Sequence, residues 1–146
     1  MPSISRPLEW VVPLLALLFA FGLTATFNAL PDPMASEWTI EGMPVDHRPR
    51  LLELLVGPVI VGFAGITPLF WAQRVQTVRA ARGLVVAGHV LVVLLAGHRW
   101  RSITANYGAP DWQSATTTVS SIPVIVLAAV AGAFGWWASA HRKSQG

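Results

Sequence analysis

The chain contains no cysteine. That removes disulfide frameworks, thiolate metal sites, iron–sulfur clusters and cysteine nucleophiles together. Charge is scarce too: Asp, Glu, Lys and Arg make up 12% of the residues, about half the fraction usual in soluble domains. No run of basic residues is longer than Arg142–Lys143, so the basic stripe expected of a nucleic-acid binder is missing. Tyrosine occurs once, against seven tryptophans. What remains is 53% hydrophobic within 146 residues, room for one domain.

The hydrophobic residues fall into four segments. Trp10 to Leu30 is charge-free over 21 residues, Leu54 to Gln73 over 20 and Gly83 to Gly97 over 15. A fourth uncharged stretch opens near Trp112 and becomes strongly apolar from Val119 to Ala140. A hydrocarbon core of about 30 Å takes about 20 helical residues. Three segments meet that length. The third reaches roughly 22 Å, and snorkelling by Arg82 and Arg99 completes it. The pattern predicts an all-α, polytopic membrane protein in a single domain. Its helices are expected at about 9–30, 53–73, 82–98 and 119–140, with connecting outer loops at 31–52 and 99–118. The first segment reads as a retained helix: its charged lead-in is weak, with Arg6 offset by Glu9, and no small-x-small cleavage site precedes a polar start.

Orientation follows Lys and Arg near the helix ends. With the N-terminus inside, Arg6, Arg74, Arg79, Arg82, Arg142 and Lys143 face inward and Arg48, Arg50, Arg99 and Arg101 outward, six against four. Both termini are therefore expected in the cytoplasm. The tryptophans fit two interfacial belts: Trp10, Trp71, Trp136 and Trp137 at one end, and Trp38, Trp100 and Trp112 at the other. Lipid supplies no hydrophobic drive between helices, so small residues should mark the contacts. Ala16, Ala20 and Thr24, then Gly57, Gly62 and Gly65, then Ala128, Gly132 and Gly135 form such lines. Pro13 and Pro123 sit in or near first turns, where a missing N–H costs little. Pro68 lies within a span and should free the carbonyl of Ala64.

Chemistry-bearing residues are few. The stretch Pro31 to Glu53 holds five of the seven acids, Asp32, Glu37, Glu41, Asp46 and Glu53, together with His47, Arg48 and Arg50. No standard metal-ligand spacing links them, and the arginines compete for the carboxylates. A turn-rich, solvated polar face is the expectation, with no metal or other cofactor. His89 stands mid-span in the third segment and is the intramembrane polar candidate. His98 lies nine residues on, about 900° around the helix and so on the opposite face, which disfavours bis-His haem. The spans are read as lacking a buried acid, with Glu9 and Glu53 flanking them, which argues against an ion-driven pump. Ser114, Ser120 and Ser121 lack an adjacent base–acid pair, and no glycine-rich phosphate loop occurs. No enzyme is expected.

The junction after the first helix runs Leu30-Pro31-Asp32-Pro33-Met34-Ala35-Ser36-Glu37-Trp38-Thr39-Ile40-Glu41-Gly42-Met43-Pro44. It resembles the motif of a bacterial membrane family of unknown function, a domain that also forms the N-terminal part of SdpI-type toxin-immunity and signal-transduction proteins. Leu30, Pro31, Trp38, Gly42 and Pro44 fit in register, and Asp46 falls one place late. Glu37 stands where the family has His, and Thr39 where it has Asn. The stretch Asn106 to Trp112 is similar to the second outer loop of short members. The resemblance implies a bacterial inner-membrane protein without known catalysis. The expected function is contact with a membrane-protein partner, or self-association, through the outer loop at Asp32, Glu37, Trp38, Gly42 and Asp46. The protein would then be an accessory subunit or an immunity- or sensor-like component. A small transporter or channel-like protein working around His89 and Pro68 is the alternative from another class.

Overall fold

A computed structural model of the chain describes residues 7–117 and 120–140. Helix α1, Pro7–Gly22, begins with proline at a position where no N–H is required. After Gly22 it tightens into a 3₁₀ segment, Leu23–Ala29. The side chains of Thr24 and Thr26 donate back to the carbonyls of Phe21 and Leu23, at 2.6 and 2.7 Å. Such local bonds compete with regular α-helical spacing. Helix α2, Arg50–Ala72, runs on through Pro58 and Pro68. Helix α3, Val78–Asn106, is capped by Thr77, whose hydroxyl accepts from the N–H of Ala80 at 3.3 Å. Helix α4, Ile122–Ala138, carries Pro123 in its first turn. The protein is mostly helical, and three segments, Pro7–Ala29, Arg50–Ala72 and Val78–Asn106, are long and apolar enough to cross a membrane. The fourth is shorter, about 25 Å at 1.5 Å per residue.

Three boundaries differ from expectation. The third helix does not stop at 98: it spans 29 residues, about 44 Å, and takes in Arg99 and Arg101. The charge at Arg99 ended the apolar run but not the helix. Second, the 31–52 connection is not all turn. Met34–Trp38 (β1) and Pro44–Arg48 (β2) form an antiparallel hairpin, pairing Met34 with Arg48, Ala35 with His47, Glu37 with Asp46 and Trp38 with Pro44. Among the described residues the fold is thus helical with one two-stranded addition. Third, α4 begins at Ile122 rather than 119; Thr118, Val119 and the terminal cations Arg6, Arg142 and Lys143 lie outside the described residues.

Helix α3 is the centre of the bundle and packs against α1, α2 and α4; α4 rests chiefly on α3. Its buried residues include Val85, His89, Val92, Ala96, Arg99, Ile103 and Asn106. They alternate four and three apart, the spacing of a stripe that keeps facing its neighbours. The small residues make the close contacts. A Cβ on Gly65 would come within 2.9 Å of Cβ of Pro13, and one on Gly132 within 2.9 Å of Val90. Trp71, Trp136 and Trp137 are exposed at the end with the α2–α3 turn, while Trp38, Trp100 and Trp112 lie half-buried at the hairpin end.

Candidate functional site

The hairpin end concentrates the polar structure. Asp32 caps α2 from outside the helix: its Oδ1 accepts the Arg50 N–H at 3.0 Å, and Oδ2 lies 4.0 Å from the Arg50 guanidinium. Arg50 in turn donates to the carbonyls of Leu30 and Phe27, at 2.8 and 3.2 Å, which closes off the 3₁₀ segment. Asn106, the last residue of α3, treats β1 as a neighbouring strand. Its Oδ1 accepts the Ala35 N–H at 2.8 Å and its Nδ2 donates to the Ala35 carbonyl at 3.0 Å.

The two long connections form one cap. The Trp38 indole donates to the Ala115 carbonyl at 2.9 Å. The Thr117 N–H donates to the Gly42 carbonyl at 3.1 Å. Gly42 has φ +87°, and any Cβ there would overlap the Thr117 backbone, so both conformation and space require glycine. His47 stacks on Trp112 with ring centroids 4.5 Å apart. Of the five expected contact residues, Asp32, Trp38 and Gly42 hold the cap together. Glu37 and Asp46 are exposed and face each other across the hairpin. Hydrogen bonds from Thr39 and the local backbone hold the Glu41 carboxyl below its usual range, and bonds from Ser114 do the same for Asp111.

Beneath the cap lies Arg99, only 6% exposed. It was expected at the interface, snorkelling outward. Instead it turns into the bundle and donates to three main-chain carbonyls: Glu53 at 2.7 Å, Leu54 at 2.9 Å and Ala20 at 3.3 Å. These acceptors are available for a physical reason. Pro58 has no N–H for the carbonyl of Leu54, four residues earlier. Ala20 lies just before the change to 3₁₀ spacing, where the helical bonding pattern shifts. Gly57 leaves room for the guanidinium, and a Cβ there would overlap it. The missed signal was the four–three stripe of α3, which continues through Arg99 to Asn106.

Near the opposite end, His89 is fully buried. Its Nδ1 lies 2.8 Å from the Val85 carbonyl, so in the neutral ring that nitrogen carries the proton and Nε2 is the acceptor. Nε2 is buried without a hydrogen-bond partner among the described residues. Gly135 lets the ring lie against α4, and Phe134 stands 6.1 Å away. The expectation that no span holds a buried acid is incorrect. Glu9 lies within α1, is 0% exposed and acts electrostatically on His89. Helix packing, invisible to a count along the chain, turned that first-turn position inward. Arg82 is also a cross-link here, donating to the carbonyls of Ser139 and Ala140 at the end of α4.

A cavity of about 760 Å³ lies at the hairpin end, bounded by β1, α2, α3 and the strap before α4. Among the described residues no three His, Asp or Glu side chains converge as metal ligands. No protein-family model, curated protein or solved structure matches this chain.

Proposed function

We propose that the chain is a four-span protein of the bacterial inner membrane, with both termini in the cytoplasm, that works by contact rather than catalysis. It would serve as an accessory subunit or as an immunity- or sensor-like component, with the cap on the outer side as its contact surface. The observation that carries this reading is the tip of the hairpin. Ile40 is 98% exposed on a turn braced from both sides, with Met43 exposed beside it and the carboxylates of Glu37, Glu41 and Asp46 around it. An apolar residue in the open, on a hairpin that also exposes three acids, suits a partner with a basic rim and a small apolar pocket. The resemblance of Leu30 to Pro44 to the immunity-associated family supports the same assignment.

The test is gentle solubilisation of native membranes, capture of the tagged chain and mass spectrometry of what co-purifies. A stoichiometric membrane-protein partner is expected, lost on Ile40→Asp and weakened on Trp38→Ala, while the bundle keeps its helical signal. A lone bundle or a homo-oligomer would overturn the accessory-subunit reading.

One observation favours a second reading, a small transporter or channel. Glu9 and His89 are ionisable and buried within the apolar helices, and such groups mark ion pathways. A flux in proteoliposomes that disappears with His89→Leu would favour it.

A further inference from the structure

The cavity beneath the cap joins a cation to an apolar wall. Among the described residues, five buried side-chain polar atoms lack a hydrogen-bond partner, and three of them belong to residues that line this one cavity: Ser36 Oγ, Thr117 Oγ1 and Arg101 Nε. Buried polar groups are normally paired, so a cluster of three needs an explanation. All three are donors, the kind of group that phosphate oxygens accept from.

Charge points the same way. Three guanidinium groups, Arg48, Arg99 and Arg101, line the cavity against two carboxylates, Glu37 and Glu53. Arg48 pairs with Glu53 at 3.7 Å, and Arg99 is committed to main-chain carbonyls. Arg101 has no ion pair among the described residues; its Nη1 donates only to the Ser121 hydroxyl, at 2.6 Å. The site is therefore one positive charge in excess, and Arg101 carries it. The other wall is built from Leu52, Val56 and Ile60, which are also exposed on the outside of α2. A ligand there has its charged part at Arg101 and its apolar part along a face that continues into the lipid-facing surface. The volume falls within the roughly 300–1,000 Å³ usual for ligand pockets.

We infer that this cavity binds the headgroup of an anionic glycerophospholipid. The phosphate sits against Arg101, Ser36 and Thr117, and an acyl chain follows Val56 and Ile60. Ile40 and Glu37 of the proposed protein contact also line this cavity, so the test reads bound lipid and not a co-purified protein.

The experiment is native mass spectrometry of the full chain in detergent, titrated with phosphatidylglycerol, phosphatidylcholine and inorganic phosphate. Retained lipid should be phosphatidylglycerol, one per chain, with phosphatidylcholine at least about tenfold weaker, because its choline cation adds to a site already positive. Arg101→Gln should lose at least about tenfold in affinity for phosphatidylglycerol. Arg79→Gln, an exposed cation at the other end, should lose nothing. If Arg101→Gln fails to fold, Ser36→Ala with Thr117→Val carries the test, since it removes two donors without touching a charge. Equal binding of phosphatidylglycerol by wild type and the folded variants would overturn the inference. So would equal affinity for phosphatidylcholine. Displacement of the lipid by inorganic phosphate at matched concentration would make the site an anion site and overturn the lipid assignment.

Discussion

The two ends of the bundle are held together by different means. At the hairpin end, long side chains reach main-chain groups on other elements: Arg99 to α1 and α2, Asn106 to β1, and Trp38 to the strap before α4. Nearer the α2–α3 turn, small residues let helices touch: Gly65 on Pro13, Gly88 on Pro68 and Gly135 on His89. The cause is backbone regularity. Where Pro58 and the 3₁₀ segment break the helical pattern, carbonyls are freed. In hydrocarbon no water can satisfy them, so a protein donor must. Nearer the α2–α3 turn Arg82 also donates to the end of α4 and Pro68 leaves the Ala64 carbonyl without its helical donor, but the contacts between helix bodies rest on close packing. A polar cross-link in a membrane bundle is thus a response to irregular backbone close by, and the two methods should differ in cost when broken.

The largest effect is expected at Arg99. Arg99→Met keeps much of the volume but removes a donor from three carbonyls, one of them the Leu54 carbonyl that Pro58 leaves without its helical partner. It should destabilise the protein by at least about 3 kcal/mol, read by thermal unfolding in detergent through the tryptophan fluorescence. Gly57→Ala, which displaces the same guanidinium, should reproduce most of that loss. The packed end should be less sensitive. Gly65→Val pushes a branched side chain against the Pro13 ring, and overpacking of this kind costs about 1–3 kcal/mol. If Arg99→Met unfolded no more easily than Gly65→Val, the distinction between the two ends would fail.

The smallest effect is a pH dependence confined to the cap. Asp111 and Glu41 are held below their usual values by Ser114 and Thr39, so each ionised form is favoured by folding. That contribution is complete above the ordinary carboxylate range and is lost as pH falls through the lowered native values. The protection of amides in residues 39–43 and 107–117, after correction for the intrinsic slowing of exchange in acid, should fall between about pH 6 and about pH 3, while α3 stays protected. Asp111→Asn should remove the 107–117 part of the response. Uniform loosening of cap and bundle together would show that these carboxylates do not act locally.

Much of the architecture was legible along the chain. Charge-free runs locate all four helices, and the lines Ala16–Ala20, Gly65 and Ala128–Gly132 do lie at helix contacts. Charge failed as a boundary marker at Arg99 and Glu9, because packing buries both, with Arg99 donating to carbonyls of two other helices. The hairpin was hidden for a related reason. Met34–Trp38 and Pro44–Arg48 contain Ala, Glu, Asp and Pro, residues poor in strands. What holds β1 in place is Asn106, 71 residues from Ala35. The cap residues Trp38 and Gly42 were singled out correctly as special, but their partners Ala115 and Thr117 carry no sequence signal.

That the chain has helices long and apolar enough to cross a membrane was determined by the sequence alone, because transfer of apolar residues into lipid sums along the chain and needs no knowledge of neighbours. The tertiary structure decided which polar groups meet. The pairing of Arg99 with the carbonyl of Leu54 spans 45 residues and depends on Pro58, on Gly57 and on the face that α3 turns inward. The gathering of Ser36, Arg101 and Thr117 around one cavity likewise joins three separate segments. Such meetings are fixed by how the elements pack, and no local propensity records them.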